Sequence, residues 1–161
     1  MNNKIKGKKT IKINKNIPVT FFGGKKNYIF NTFCKSYLDS NNAGDVFYLE
    51  KERIVFQKWE FLKSSNSSSY YLKNSQTGLF LSSDPSGEIF STVSNETSYQ
   101  MWNIYSTSEK DLYTILNKGN EFVLDCTIRN TLYLNMMDDS NLEDAKKNIL
   151  FKIYQTLPKK R

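Results

Sequence analysis

The chain has 161 residues, of which 39% are hydrophobic and 24% charged, a composition typical of one folded domain with a real core. Its 14% aromatic content favours strands over helices, and no run of about 18 apolar residues predicts a transmembrane helix. The absence of histidine excludes Ser-His and Cys-His nucleophile pairs and imidazole metal sites, so we expect no enzyme, no cofactor and no metal.

The net charge of +7 is concentrated at the ends of the chain. Residues 1–26 hold eight lysines and no acidic residue, residues 159–161 are all basic, and the body between them is slightly acidic. Such ends predict weak, salt-dependent attraction to anionic surfaces and no specific binding of nucleic acid. Two alternatives stay open for the basic extension 1–26. Charge repulsion favours disorder, whereas the alternation in TIKINKNI at 10–17 favours an added strand.

The cysteines and the N-terminus bear on localisation. Cys34 and Cys126 make no disulfide framework and lie in dissimilar sequence settings, so we expect both to be reduced and partly buried. The basic N-terminus is not followed by the apolar segment of a signal peptide. These features predict a cytoplasmic protein, or one exported without a conventional signal.

An internal repeat organises the chain from residue 27 onwards. QKWEF at 57–61 returns 43 residues later as QMWNI at 100–104. The same shift aligns further residues in three copies, which predicts three units at 27–69, 70–112 and 113–158. The best-aligned columns are Ile29, Leu72 and Ile115; Asn31, Asn74 and Asn117; Tyr37, Phe80 and Val123; Leu38, Leu81 and Leu124; Val46, Ile89 and Leu132; Phe47, Phe90 and Tyr133.

Each unit contains four short apolar and aromatic runs separated by Gly, Asn, Asp and Ser, which predicts four strands joined by turns. Gly44, Gly87 and Asn130 share a column where a turn with positive φ is expected. In the third unit, an insertion of six residues within 135–149 moves the tryptophan column to Phe151. The predicted strands cover 27–31, 36–40, 45–49, 58–62, 70–74, 78–82, 88–92, 101–105, 112–117, 121–125, 131–135 and 150–154.

Three four-stranded units closing around a pseudo-threefold axis make a β-trefoil, and residues 27–157 resemble that family. A propeller usually needs about four to eight blades to close, and helical repeats need a 3.6-residue period that these runs lack. The Gln-x-Trp element resembles that of the ricin-type lectins, which implies an aromatic residue packed in the core and a Gln that braces the backbone. The resemblance assigns these roles to Gln57, Trp59, Gln100, Trp102 and Phe151.

The same resemblance implies a carbohydrate site in each unit, made of an Asp after the second strand, an aromatic residue and an Asn just before Gln-x-Trp. The third unit is the best candidate, since it retains Asp125 and Asn148, with Tyr133 and Asn135 on its third strand. The first unit retains only the acid, Asp39, and the second retains neither polar residue. An Asp or Asn at a strand end also commonly hydrogen-bonds turn backbone, so turn bracing stays open as the alternative.

A second resemblance implies a different partner. The stretch from TGLFLSSDPSGEIFS to YQMWNIY, at 77–105, is similar to the fascin and hisactophilin trefoils, which are cytoplasmic actin binders, although the histidines of hisactophilin are missing. It implies a protein-binding trefoil for actin that uses its outer loops and the Lys-rich tail. A trefoil can also serve as an adaptor that holds other chains of a complex by its outer face. We therefore expect a non-enzymatic recognition module whose partner is carbohydrate or, alternatively, another protein.

Overall fold

The strands of the chain share one antiparallel sheet. The structure is a computed structural model that describes residues 10–20, 22–52, 55–127, 131–136 and 149–155. Within these ranges there are thirteen strands and a 3₁₀ turn at Ser98–Gln100. No helix in the described part of the chain is long and apolar enough to cross a membrane. The strands are β1 (Ile13–Pro18), β2 (Lys25–Asn31), β3 (Ser36–Ser40), β4 (Val46–Leu49), β5 (Lys58–Lys63), β6 (Tyr70–Asn74), β7 (Phe80–Ser83), β8 (Ile89–Thr92), β9 (Met101–Thr107), β10 (Tyr113–Asn117), β11 (Phe122–Cys126), β12 (Leu132–Met136) and β13 (Phe151–Tyr154).

Six strands close into a barrel, because each pairs with the next around a ring. Their order is β2, β5, β6, β9, β10 and β13, which pairs with β2 again. Three hairpins, β3–β4, β7–β8 and β11–β12, extend from β2, β6 and β10. Contacts among β4, β8 and β12 bring the hairpins together at one end of the barrel. This is a β-trefoil of three four-stranded units, and the predicted all-β fold is confirmed.

All twelve strands predicted from the repeat are present, and their ends lie within two residues of the predicted ends. The hydrophobic pattern explains this agreement. In β5, Trp59 and Phe61 are fully buried, whereas Lys58, Glu60 and Leu62 are partly exposed. A period of two is what a strand with one face on the core requires.

The aligned apolar columns form the core. Trp59, Trp102 and Phe151 have no exposed surface, so each unit contributes one large ring. Burying a ring of this size stabilises the fold by about 2–3 kcal/mol. The aliphatic columns are equally buried, and their members are Ile29, Leu72, Ile115, Leu38, Leu81 and Leu124.

The N-terminal segment adds one more ring to this core. Phe22 lies edge-on to Phe61 of the first unit, Tyr70 of the second and Tyr113 of the third, at centroid distances of 5.4, 6.4 and 5.2 Å. Its backbone N–H also donates to the Tyr70 hydroxyl at 3.0 Å. Edge-to-face packing of this kind adds about 0.5–1.5 kcal/mol per pair beyond the burial. Phe22 therefore contacts all three units at once.

The extension 1–26 also contributes β1, which pairs with β9 on the outside of the barrel. The Val19 N–H donates to the Ile104 carbonyl at 2.7 Å, and Ile13 and Val19 are both buried. Of the two alternatives for this segment, the added strand is the one that the structure shows over Ile13–Pro18. Residues 1–9 and the basic end 159–161 lie outside the described residues.

Two glycines hold the hairpin turns in a conformation that other residues rarely adopt. Gly44 and Gly87 both have φ of 90°, as their shared column predicts, and the third member, Asn130, lies outside the described residues. Gly44 also lies against the second unit, since its carbonyl accepts the Ser91 N–H at 2.8 Å. A Cβ at residue 44 would come within 2.5 Å of the Ser91 carbonyl oxygen.

Gly44→Ala is expected to lower the free energy of unfolding by about 2–4 kcal/mol, because strain at positive φ adds to this clash. The matched control is Gly24→Ala. Gly24 has φ of 74°, but nothing lies within 4 Å of its added Cβ, so only the strain of about 1 kcal/mol remains. Urea unfolding followed by tryptophan fluorescence compares the two variants. Equal losses would contradict the close approach at Gly44.

Candidate functional site

In the first unit, Gln57 fastens the start of the fourth strand to the second strand and to the loop that follows the third strand. Its Nε2 donates to the Asp39 carboxylate at 3.0 Å and to the Lys51 carbonyl at 2.9 Å. Two residues later, the Trp59 indole N–H donates to the Leu38 carbonyl at 3.0 Å. The structure thus places Trp59 in the core and makes Gln57 a brace between segments.

The second unit repeats this arrangement with a neutral partner. The Gln100 Nε2 donates to the Ser82 hydroxyl at 2.9 Å and to the Val93 carbonyl at 2.8 Å. The Trp102 indole N–H donates to the Leu81 carbonyl at 3.0 Å, as its counterpart does in the first unit. Ser82 therefore stands where the first unit has a carboxylate.

The third unit keeps the carboxylate but has lost the glutamine. Ile149 occupies the glutamine position and is buried against Val123 and its neighbours. Asn135 of β12 replaces the missing amide, because its Nδ2 donates to the Asp125 carboxylate at 3.2 Å. Thus in every unit a side-chain amide donates to the polar residue near the end of the second strand. Because the residue aligned with Gln57 and Gln100 is the apolar Ile149, the sequence indicates that Asp125 needs an amide from elsewhere.

Both candidate carboxylates are fully buried. Asp39 accepts the Ser40 N–H at 2.7 Å and Asp125 accepts the Cys126 N–H at 2.6 Å, so each is also held by the backbone N–H of the next residue in its strand. A carboxylate held by an amide and a backbone N–H is satisfied where an unpaired buried charge would be costly. In this conformation neither group can touch a ligand. Any part that Asp39 or Asp125 takes in binding is confined to positioning its neighbours.

An aromatic residue lies directly across the hairpin from each of these polar residues. All three aromatic side chains are half-buried, so each offers part of a ring at the surface. Of these three, the sequence pattern identifies only Tyr133 as a site candidate, although the 43-residue shift aligns the other two with it. The cross-strand pairs are Asp39 with Phe47, Ser82 with Phe90 and Asp125 with Tyr133.

The third unit combines such a ring with a fixed amide at the surface. Tyr133 and Asn135 are two residues apart on β12, so their side chains share one face of the strand, and both are half-buried. Asn135 gives one amide proton to Asp125, which leaves a second N–H and a carbonyl oxygen as its remaining hydrogen-bonding capacity. The fourth sequence candidate, Asn148, lies outside the described residues. The structure thus brings together Asp125, Tyr133 and Asn135, and leaves Asp39 in a separate unit.

This surface of the third unit offers an aromatic ring and an amide to a ligand. A flat ring beside an oriented amide suits a neutral ligand that has both an apolar face and hydroxyl groups. No group of three or more Cys, Asp or Glu side chains within the described ranges is placed to hold a metal ion.

Comparison with known proteins agrees with the geometry. Residues 56–135 match the family model described as a ricin-type β-trefoil lectin domain-like. The structure matches ThreeFoil, a designed threefold symmetric protein, with a TM-score of 0.68 and 13% identity, over 81% of this chain and 99% of that chain. It also matches SeviL, solved bound to asialo-GM1 saccharide, with a TM-score of 0.68 and 18% identity, over 83% of this chain and 98% of that chain. No curated protein matches the sequence. The resemblance to ricin-type β-trefoils is thereby confirmed.

The amide partners make a prediction about stability. Gln57→Leu should cost about 3–5 kcal/mol, because it removes an amide donor from the buried Asp39 carboxylate. Gln100→Leu is the matched control and should cost about 1–3 kcal/mol, since it removes the amide from the neutral Ser82 hydroxyl. Urea unfolding measures both.

The charge itself can be tested in the same background. Adding Asp39→Ser to Gln57→Leu should recover part of the lost stability, because the double variant no longer buries a carboxylate without its amide. A larger loss for Gln100→Leu than for Gln57→Leu, or no recovery in the double variant, would contradict this account.

Proposed function

We propose that this ricin-type lectin-like β-trefoil is a non-enzymatic recognition module that binds carbohydrate through its third unit. The half-exposed Tyr133 ring supplies the stacking surface for the apolar face of a sugar. The Asn135 amide beside it supplies a donor and an acceptor for the sugar hydroxyl groups. We assign Asn148 to the same site, in the position that the family resemblance gives it.

One observation carries the proposal, which is the hydrogen bond from Asn135 to the buried Asp125. A side-chain amide on a strand surface usually samples several rotamers. A ligand that orders such an amide binds more weakly, because the side chain loses conformational entropy. Here the amide is already fixed, and it is fixed next to an aromatic ring. Asp125 is therefore a positioning residue in this proposal.

The first unit offers a weaker version of the same surface. Phe47 lies across from Asp39, but Leu49 of β4 stands where the third unit has Asn135, and the Asp39 carboxylate is occupied by Gln57. The ring is present without an oriented amide beside it. We therefore expect the third unit to dominate binding, with the first unit contributing little.

The direct test is a glycan array with the full-length protein. The array should include the asialo-GM1 saccharide, since the structurally similar SeviL was solved bound to it. A salt concentration of about 0.15 M suppresses attraction through the lysines of residues 1–26. We expect selective binding to one class of sugar. Because the lysines attract any anion, retention on all acidic glycans alike would count against the proposal.

Tyr133→Ala should weaken binding to the selected sugar about tenfold or more, because it removes the stacking ring. The matched control is Phe90→Ala, which removes the aligned ring from the second unit, where Ser82 and Thr92 replace Asp125 and Asn135. This control should bind as the unaltered protein does. Calorimetric titration compares the three proteins, and circular dichroism checks that each is folded.

Two results would overturn the proposal. Equal losses for Tyr133→Ala and Phe90→Ala would show that the site is not in the third unit. A blank array with folded protein would exclude the sugars tested and favour the protein-binding alternative, for which co-sedimentation with actin filaments is the direct assay.

A further inference from the structure

Two thiols that are 92 residues apart in sequence, one in the first unit and one in the third, share one core cluster. Cys34 lies in the turn between β2 and β3 and is half-buried, and Cys126 is the last residue of β11 and is 1% exposed. Cys34 packs against the main core cluster, to which Cys126 belongs. Both are free thiols. We use the word seam for the junction between two neighbouring units, and at this seam turn 32–35 faces the end of β11.

The electrostatic interactions around the seam agree with this placement of the two thiols. Burial, and next a hydrogen bond with the Cys34 thiol, raise the pKa of Cys126. The Tyr48 hydroxyl donates to the carbonyl of Asp125, the residue before Cys126, at 3.1 Å. Burial raises the pKa of Tyr48 as well, and the charges of both thiolates add to that effect. The Tyr48 hydroxyl therefore lies close enough to both cysteines to interact with each of them electrostatically.

The pseudo-threefold symmetry gives an independent check. Asn120 and Ser83 stand at the positions of Cys34 and Cys126 between the third and second units, and their side chains touch, with the Asn120 Nδ2 donating to the Ser83 hydroxyl at 2.9 Å. Two of the three seams of the trefoil therefore bring this pair of positions into direct contact. At one of them the pair is a hydrogen-bonded amide and hydroxyl, and at the other it is two thiols.

We propose that Cys34 and Cys126 are a disulfide-forming pair that joins the first unit covalently to the third. This goes beyond ligand binding and does not depend on it. The bond would link the first and last units of the trefoil, which also meet through the pairing of β13 with β2.

The chemistry needs an oxidant, and a small-molecule disulfide such as oxidised glutathione supplies it. The more exposed Cys34 loses its proton, attacks one glutathione sulfur and releases the first glutathione as a thiol. The Cys126 thiolate then attacks the Cys34 sulfur, forms the protein disulfide and releases the second glutathione. The protein loses two protons and two electrons, and one oxidised glutathione becomes two reduced molecules.

The experiment treats the folded full-length protein with oxidised glutathione and traps remaining thiols with an alkylating agent. We expect intact mass to show the loss of two hydrogens, and a non-reducing peptide map to show Cys34 joined to Cys126. A glutathione adduct that persists on Cys34, adducts on both cysteines, a dimer linked through Cys34, or no reaction would each overturn the proposal.

Two single variants separate the steps. Cys126→Ser should stop at the glutathione adduct of Cys34, because the resolving thiol is gone. Cys34→Ser should remain unmodified for as long as the protein is folded, because Cys126 is buried. Rapid modification of Cys34→Ser at Cys126 would contradict the assigned order of attack.

Stability and pH give two further readouts. The disulfide should raise the Tm of the oxidised protein by about 10 °C over the reduced protein, because it closes a long loop of the unfolded chain. Oxidant should leave the Tm of Cys34→Ser unchanged. Since the pKa of Cys126 is raised, the second step should speed up about tenfold per pH unit from about pH 7 to about pH 9. A second step that is independent of pH would rule out Cys126 as the attacking group.

Discussion

In each of the first two units, a tryptophan without any exposed surface donates its indole N–H to a main-chain carbonyl of the second strand. Burial of that N–H without an acceptor would be costly, so the large ring enters the core only when the hairpin above it is docked. The glutamine two residues earlier completes the attachment through its own amide. The position of each hairpin, and of the aromatic residue it displays, depends on this coupling of apolar burial to a few polar contacts.

The periodic part of the structure could be predicted from sequence because three copies of one pattern reinforce each other. The strands, the trefoil and the burial of Trp59 and Trp102 all follow from columns that recur every 43 residues. Structural features that occur only once have no repeated sequence pattern from which they could be predicted. Phe22 lies outside the repeat, and the meeting of Cys34 with Cys126 depends on closure of the ring, which no local pattern encodes.

The candidate site shows how equivalent positions have diverged under one structural requirement. Every unit supplies an amide to the residue near the end of its second strand, but the source of that amide differs. Where Gln57 or Gln100 provides it, the amide is buried within the brace. In the third unit the amide comes from Asn135 on the exposed hairpin instead, and a structural contact thereby orients a group at the surface. Sequence alone identified the residues of this cluster but left open whether Asp125 contacts a ligand or braces its neighbours, and its complete burial decides against direct contact.

The contacts of the Phe22 ring have a consequence for folding during synthesis. It precedes all three units in the chain, yet one of its partners, Tyr113, opens the last unit. During synthesis on the ribosome, the segment that carries Phe22 emerges first and must wait until the third unit has emerged and paired. Closure of β13 onto β2 imposes the same delay on the barrel. Long-range closures of this kind slow folding, because the entropy of joining distant segments is lost before most contacts form. The nascent chain therefore completes its core only after the third unit has emerged, with Phe22 among the last aromatic residues to be enclosed.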